Sequence, residues 1–130
     1  MIGREYRQYL VDEGFSDVFL NYRPDSPDDV TVIYDESAPT LAISEGLNSE
    51  QTGIQVYVRA ANPSDAEETI ESIHDITIGF RDDEFDSGGR HITSVIPQQH
   101  PAYVDRDESN RVVWTAHYIV RHENKTQHRS

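Results

Sequence analysis

Residues 53–80 read GIQVYVRAANPSDAEETIESIHDITIGF, and this stretch decides the fold class. From Gly53 to Ala60, apolar side chains alternate with polar or aromatic ones, which predicts a strand with one buried face. Asn62 and Pro63 follow at once as an N-cap and a first helical residue, and acidic side chains fill the next turn. The sequence therefore predicts a strand that passes directly into a helix.

The helix after Pro63 has an apolar stripe at helical spacing, which is typical of a helix that packs on a sheet. The stripe consists of Ala66, Ile70, Ile73, Thr77 and Phe80. Residues 82–89, which follow this helix, read as an acidic loop that ends in glycine.

The chain begins with a second helical pattern. Its apolar face consists of Ile2, Tyr6, Tyr9 and Leu10. Gly14 is placed to end this helix. Residues 15–21 alternate weakly and residues 30–34 are rich in β-branched side chains, so both segments are predicted strands.

Two segments in the first half of the chain read as loops. Residues 23–29, RPDSPDD, combine two prolines with three aspartates and predict a rigid, turn-rich loop. Residues 35–52 have no hydrophobic period and predict a long loop, of a length that is often functional or disordered.

Downstream of the second helix, residues 91–96 and 111–121 are predicted strands. They are joined through Pro97, Pro101 and a turn at residues 107–110. One face of the last strand is formed by Val112, Trp114, Ala116, Tyr118 and Val120.

The predicted element order is α-β-β-β-α-β-β. This order indicates an α+β fold, with a single mixed or antiparallel sheet of about five strands and both helices, N-terminal and central, packed on one face. We expect residues 1–121 to form one domain and residues 122–130 to be a flexible C-terminal tail.

Composition excludes several classes of function. The chain has 130 residues, 24 of them acidic and 11 basic, and a formal net charge of −13. Direct binding of DNA or RNA is not expected, because no basic patch of useful size can form. No apolar run approaches the roughly 20 residues of a membrane span, so we expect no membrane partner. The absence of cysteine from the sequence excludes disulfides, cysteine-zinc sites and thiol catalysis.

The basic residues are ten arginines and one lysine, Lys125. Acidic, lysine-poor surfaces suit molar salt, where the Debye length falls to about 3 Å and like charges are screened. The composition resembles that of proteins from halophilic archaea and their viruses. The alternative is an acidic protein from an ordinary environment that happens to lack lysine.

The sequence completes no catalytic motif: it has no nucleophile elbow, P-loop, zinc-protease motif or dinucleotide fingerprint. His117 and His122 are an odd number of residues apart on a predicted strand, so their side chains face opposite ways. Residues 82–88 mimic a calcium loop in charge only, because Ser87 and Thr93 stand where such a loop needs glycine and glutamate. We therefore expect no enzyme, no catalytic residue, no cofactor and no metal ion.

Four short motifs carry a resemblance to a known family. They are FLNYRPDSPDD at residues 19–29, VIYD at 32–35, IQVYVR at 54–59 and DESNR at 107–111. Together with the two helices they resemble the small minor capsid and tail-completion proteins of long-tailed viruses, whose best-understood members are the tail terminators, or tail-to-head joining proteins. The similarity covers most of residues 5–121.

The resemblance implies a homo-oligomer in the form of a six-fold ring. The ring would cap the finished tail tube, stop tube polymerisation and offer its other face to the head-tail connector protein. It would lie in the tail or neck of the virion, and in the host cytoplasm during assembly. DNA would pass through the lumen without specific binding, because carboxylates on the wall repel phosphates.

Two arginines are candidate interface residues. Arg59 and Arg121 lie on or beside strands in a chain with few positive charges, and arginine forms bidentate pairs with carboxylates. Their candidate partners on a neighbouring subunit are Glu45, Glu50, Asp82, Asp83, Glu84 and Asp86. Pairing of each arginine within its own subunit is the alternative.

Three other functions remain open from the sequence. The protein could occupy another neck position, such as that of a connector stopper. It could be an acidic DNA mimic that inhibits a nucleic-acid enzyme, although the carboxylates are concentrated in a few segments and a mimic needs a regular array. A small enzyme is the third alternative, for which no nucleophile-base or metal constellation can be assembled.

Overall fold

The computed structural model describes residues 2–37, 49–78 and 90–124. The elements are helix α1 (Ile2–Asp12), strands β1 (Val18–Leu20), β2 (Val30–Ser37) and β3 (Ser49–Ala60), helix α2 (Pro63–Ile78), and strands β4 (Arg90–Arg106) and β5 (Val112–Asn124). The five strands form one sheet in the order β1-β2-β3-β5-β4. β1 pairs with β2 in parallel, and the remaining neighbours are antiparallel. The predicted α+β fold with one mixed sheet and two helices is confirmed.

Both helices pack on the same face of the sheet, which we call the helix face. The alternation predicted for β3 and β5 is confirmed, since Val56 pairs with Ala116 and both are fully buried under the helices. Tyr6 and Leu10 of α1 join Ile70 and Ile73 of α2 in the same buried cluster. Non-directional burial of apolar area therefore holds this side of the molecule together.

The ends of α1 are fixed by specific contacts. Gly14 has a φ of 105°, and the amide of Phe15 donates to the carbonyl of Leu10 at 3.1 Å, as in a Schellman motif. At the other end, the amide of Gly3 donates to Asp35 Oδ2 at 3.1 Å. A Cβ on Gly3 would lie 2.8 Å from the Asp35 side chain, so this close approach of helix and strand requires glycine.

α2 begins as the sequence predicts. Asn62 Oδ1 accepts from the amide of Ser64 at 2.9 Å, which satisfies one of the free donors of the first turn. Of the predicted stripe, Ala66, Ile70, Ile73 and Thr77 are buried. The last predicted member, Phe80, and the acidic loop at residues 82–89 lie outside the described residues.

The predicted loop at residues 35–52 is wrong at both ends. β2 continues to Ser37, which pairs with Thr52 of β3, and β3 already begins at Ser49, which pairs with Glu123 of β5. Backbone pairing of this kind does not require the apolar period that the sequence lacks there. Residues 38–48 lie outside the described part of the chain.

The predicted end of a strand at Ile96 is also wrong. β4 runs through Pro97 and Pro101 to Arg106, with register shifts on both sides of Gln99. β4 is an edge strand, where proline can face away from the ladder or sit at a bulge, and this explains why neither proline ends it. β5 likewise continues to Asn124, and residues 125–130 of the predicted tail lie outside the described residues.

Candidate functional site

The opposite side of the sheet, which we call the loop face, is partly covered by residues 21–29, which we call the Pro-Asp loop. Beneath it lies a second, smaller buried cluster, which consists of Val30, Val32, Tyr57 and Val113. Pro24 is buried and the other residues of the loop are exposed. The loop is therefore anchored inward by one proline while its aspartates face solvent.

Arg59 fastens this loop to β3. The residue is 2% exposed. Its Nε donates to the carbonyl of Asp28 at 3.0 Å, and its NH2 donates to the carbonyls of Pro27 and Asp25 at 2.8 and 3.4 Å. A planar guanidinium can serve several acceptors in fixed directions, so it holds the loop in one conformation.

Arg111 fastens the same loop to the β4–β5 turn. Its NH1 donates to the carbonyl of Asp25 at 2.6 Å and to Asp28 Oδ1 at 3.2 Å. Its Nε donates to Asp107 Oδ2 at 2.8 Å. Burial raises the pKa of Asp107, but hydrogen bonds from the Arg111 amide and guanidinium outweigh it, so the pKa lies below its usual value. The carboxylate therefore stays charged and bonded at neutral pH.

A third arginine covers the aromatic part of the loop face. The Arg23 guanidinium carbon lies 4.5 Å from the ring centroid of Tyr57, a cation–π distance, and Arg23 Nε donates to Tyr34 Oη at 3.1 Å. With Arg59 and Arg111, it completes a set of three arginines, one in the loop and two in the strand and turn that hold it. The outer surface of the loop presents the exposed residues Asp25, Ser26, Pro27, Asp28 and Asp29.

A cleft of about 260 Å³ opens beside the Pro-Asp loop, where β2 begins and β3 ends. Phe15, Val30, Val58 and Ala60 supply its apolar side chains, and Asp29 is one of the polar residues at its mouth. Six of its eleven lining residues are polar, among them the buried Arg59 and the exposed Asp17, so the cleft offers contacts to both apolar and polar atoms of a partner side chain.

The two edges of the sheet differ. β1 has three residues, and the carbonyl of Val18 accepts from Arg7 Nε of α1 at 2.7 Å. β4 has 17 residues, and its outer edge has no strand partner in the sheet that the described residues form. Prolines and register shifts interrupt the β4 edge, a common protection against uncontrolled strand pairing.

α2 exposes an acidic surface to solvent. Its exposed carboxylates are Asp65, Glu67, Glu68, Glu71 and Asp75, and the helix contains no basic residue other than His74. His74 Nδ1 lies 2.5 Å from Tyr118 Oη, and its ring centroid lies 5.2 Å from that of His100. Burial and the neighbouring His100 lower the pKa of His74, so its ring is neutral at pH 7.

Residues 2–37, 49–78 and 90–124 contain no group of three or more histidines and carboxylates that could hold a metal ion. In the same part of the chain, no helix is both long enough and apolar enough to span a membrane. The geometry of these residues offers surfaces that can make contacts: a held acidic loop, a cleft with a mixed polar and apolar lining, and a long open strand edge.

A protein-family model described as bacteriophage tail terminator protein matches residues 9–124, nearly the whole chain. The chain belongs to this family. The predicted kinship with tail-completion proteins is thereby confirmed at the level of the family, and the protein has a structural role in the tail or neck of a virus particle, in contact with tail and head components. The match includes the Pro-Asp loop, the cleft and both edges of the sheet.

Two other comparisons add little. No curated protein is significantly similar to the chain in sequence. Nineteen solved chains match it. One of them aligns with 91% of this chain and 90% of its own length, at 16% sequence identity and a TM-score of 0.49.

The structure places only some of the predicted interface residues. Arg59 is buried and bonded within its own chain, and Arg121 Nε donates to Gln51 Oε1 at 3.4 Å on the loop face. These contacts match the alternative of pairing within one subunit, and a bridge to a neighbouring subunit stays a prediction. Glu50 lies in β3, in a pair with His122. The other candidates, Glu45, Asp82, Asp83, Glu84 and Asp86, lie outside the described residues.

Sequence reasoning missed Arg111 and Arg23, which do as much as Arg59 to hold the Pro-Asp loop. Arg111 stands at the end of the DESNR turn, and its role depends on Asp25 and Asp28, more than 80 residues earlier in the chain. A signal was present, because an arginine that directly precedes a buried strand in an acidic chain needs a carboxylate or carbonyl partner.

Proposed function

We propose that the protein is the tail terminator of a tailed virus and acts as a ring of six identical subunits. The ring caps the finished tail tube, stops further addition of tube protein and presents its other face to the head-tail connector protein. The observation that carries this proposal is the family match over residues 9–124. In this proposal the ring performs no catalytic step. Its role is to end growth of the tail tube and to form the interface with the connector protein.

The surfaces of the described residues support a role in assembly. Heterologous contacts between identical subunits close into a ring when the rotation from one subunit to the next is a whole fraction of a full turn. Such contacts need two different surfaces on each subunit, and the long, open β4 edge and the cleft beside the Pro-Asp loop are two such surfaces. The Pro-Asp loop adds a third surface whose shape does not depend on a partner, since Arg59 and Arg111 hold it.

Charge supports passage of DNA through the lumen without specific binding. Each subunit has a formal charge of −13, so a wall on which carboxylates outnumber basic side chains would repel phosphate. In a binding assay with duplex DNA, at the lowest salt concentration at which the ring stays assembled, we expect no complex. Retention of DNA by the assembled ring would contradict this part of the proposal.

We further propose that the protein comes from a virus of a halophilic archaeon and works at molar salt. At low salt the repulsion between subunits of the same charge is no longer screened. We expect the melting temperature and the fraction of assembled protein to fall as salt decreases from 2 M to 0.1 M. A melting temperature that stays constant or rises over this range would contradict the halophilic origin.

The decisive experiment is polymerisation of the cognate tail tube protein with and without this chain, followed by electron microscopy. Without it, tubes should continue to grow; with it, their ends should carry a ring of six subunits and should no longer extend. Capped tubes should then bind the connector protein. A chain that binds the connector but leaves tubes free to grow would be a stopper, and a chain that binds only a nucleic-acid enzyme would be a DNA mimic.

A further inference from the structure

Among the described residues, three of the five exposed large apolar side chains lie on β4. The five are Tyr22, Ile78, Ile96, Tyr103 and Val104. Single exposed apolar residues are normal on a protein surface, but Tyr103 and Val104 are adjacent, and they are 52% and 54% exposed. They therefore form one apolar projection on the open edge of the sheet.

The projection is shaped in advance. The register of β4 against β5 shifts between Tyr103 and Asp105, which leaves Val104 without a partner in the ladder and directs the strand outward. The Tyr103 ring packs edge-on against Trp114, with centroids 6.1 Å apart. A braced aromatic side chain loses little freedom when it enters a partner.

The cleft beside the Pro-Asp loop is a suitable receptor for this projection. Phe15, Val58 and Ala60 supply apolar surface that suits the Tyr103 ring and Val104, and Arg59 and three hydroxyl residues line the rest of the cleft. The exposed Asp17 and Asp29 supply negative charge at the mouth. The projection has a positive charge close by, since Arg106 ends the same strand and is exposed. The carboxylate of Asp105 is turned toward its own backbone, where Oδ1 accepts from the Arg106 amide at 2.7 Å.

Projection and cleft lie at the same end of the sheet, the projection on the β4 edge and the cleft at β3, the start of β2 and the residues before β1. Val112 of β5 pairs with Arg106 of β4 on one side and with Ala60 of β3 on the other. Arg59, next to Ala60, pairs with Val30 of β2. One row of paired residues therefore crosses the sheet from the projection to the cleft. A second copy that is shifted sideways and rotated can place its projection at the cleft of the first. This arrangement is head-to-tail, the kind that closes rings.

We infer that Tyr103 and Val104 of one subunit insert into the cleft, beside Asp17 and Asp29, of the next copy of this chain. The inference deepens the proposed ring and rests on it. Direct continuation of the sheet from the β4 edge to the β1 edge is disfavoured, because β1 is short and Arg7 already occupies the outward carbonyl of Val18. Side chains rather than backbone pairing therefore make the contact.

The sequence contains no cysteine, so introduced cysteines report the contact without background. One variant carries Ser16→Cys, at the exposed rim of the cleft, and another carries Tyr103→Cys. In 2 M salt under mild oxidation, neither variant alone should cross-link, and their mixture should give covalent dimers. A chain with both substitutions should give a ladder up to the full ring.

The matched control replaces Tyr22, which is 63% exposed and lies away from β4, by cysteine. Mixed with the Ser16→Cys variant, it should give no dimer. As an independent measurement, Tyr103→Ser with Val104→Ser should weaken self-association at least tenfold, whereas Tyr22→Ser should leave it unchanged. Both target residues are exposed, so the circular dichroism spectrum should not change.

The outcomes separate this inference from the proposed ring. An oligomer of normal size without the mixed cross-link would overturn the inference and leave the ring intact. Cross-linking of the Tyr103→Cys variant with itself would indicate a two-fold contact and would also overturn it, as would a cleft that cross-links to the tube protein instead. A chain that stays monomeric in solution and on tube ends would contradict both the inference and the ring.

Discussion

The two faces of the sheet are held by different forces. On the helix face, side chains such as Leu10, Ile70 and Ile73 are completely buried in a continuous apolar cluster. On the loop face, the apolar cluster is small, and Arg59 and Arg111 fix the covering loop through hydrogen bonds to its carbonyls and carboxylates. On the helix face, apolar burial dominates and directional bonds such as Tyr6 Oη to Thr77 Oγ1, at 2.6 Å, add to it. On the loop face, directional bonds fix the shape of the covering loop.

This difference has consequences for function. Apolar packing is strong but tolerates small shifts, whereas a guanidinium that serves several acceptors fixes position closely. The helix face lies inside the subunit and needs only to be stable. The Pro-Asp loop lies outside, and its exposed aspartates, among them Asp29 beside the cleft, are held in one position.

The largest expected effect tests the helix face. Ile73→Ala removes a fully buried side chain between α2 and the sheet, and substitutions of this kind cost about 2–5 kcal/mol through lost burial and a residual cavity. Denaturant unfolding at 2 M salt should show this loss in the whole cooperative transition. Ser72→Ala, at the exposed neighbouring position, is the control and should change the free energy of unfolding by less than about 0.5 kcal/mol.

The next largest effect tests the loop face. Arg59→Met keeps the length of the side chain but removes the donors to the carbonyls of Asp25, Pro27 and Asp28. We expect a loss of about 1–3 kcal/mol, the usual cost of unpaired groups that were buried, together with faster proteolysis within residues 21–29. Cleavage should precede global unfolding.

Arg59→Lys is the matched variant for that experiment. It retains the charge, but an ammonium cannot reproduce the fixed directions of the guanidinium, so the loop should remain protease-sensitive. If Arg59→Lys instead restores full protection, charge alone holds the loop and the contrast between the two faces is wrong. If Arg59→Met changes only oligomer size, the predicted bridge to a neighbouring subunit is the better account.

The same contrast explains what could be predicted from the sequence. The helix face could be predicted from local hydrophobic periods. The stripe at Ala66, Ile70 and Ile73 shows which side of α2 is buried, and the alternation in β3 shows which side of that strand is buried. The loop face depends on contacts between segments that are distant in the sequence, such as Arg111 with Asp25, and no hydrophobic period predicts such contacts. β4 was misread for a related reason, since Pro97 ends a strand by local rules but not at an edge where its missing amide is not needed.

A smaller effect tests whether the helix face also depends on directional bonds at its border. Asn62→Ala removes the acceptor of the Ser64 amide and hydroxyl, which lie 2.9 and 2.8 Å from Oδ1. Loss of an N-cap costs about 1 kcal/mol. Asn62→Asp should retain the stability, because it keeps the acceptor and adds a charge favoured at a helix N-terminus. Equal destabilisation by both substitutions would show that the cap is unimportant.

The smallest effect is a difference in pH dependence between the two faces. His74 is a residue of α2 that contacts Tyr118 of β5, and its pKa is lowered from 6.5 by burial and by His100. The unfolded chain therefore takes up the proton first, and the contribution of His74 to stability is complete above pH 6.5 and decreases as the pH falls below it. Glu71 and Asp75 oppose this shift, so the decrease in stability should be small.

Asp107 on the loop face responds in a different pH range. Its pKa is lowered from 3.8 because its bonds to Arg111 outweigh burial, so its contribution is complete above pH 3.8 and decreases only in stronger acid. Free energies of unfolding at 2 M salt, measured from pH 8 to pH 3, should separate the two residues. His74→Gln should flatten the decrease between pH 7 and pH 5, and Asp107→Asn should leave that range unchanged while flattening the decrease below pH 4. If both substitutions flatten the same pH range, the stabilities of the two faces do not depend separately on His74 and Asp107. The difference between the two faces would then not extend to their response to acid.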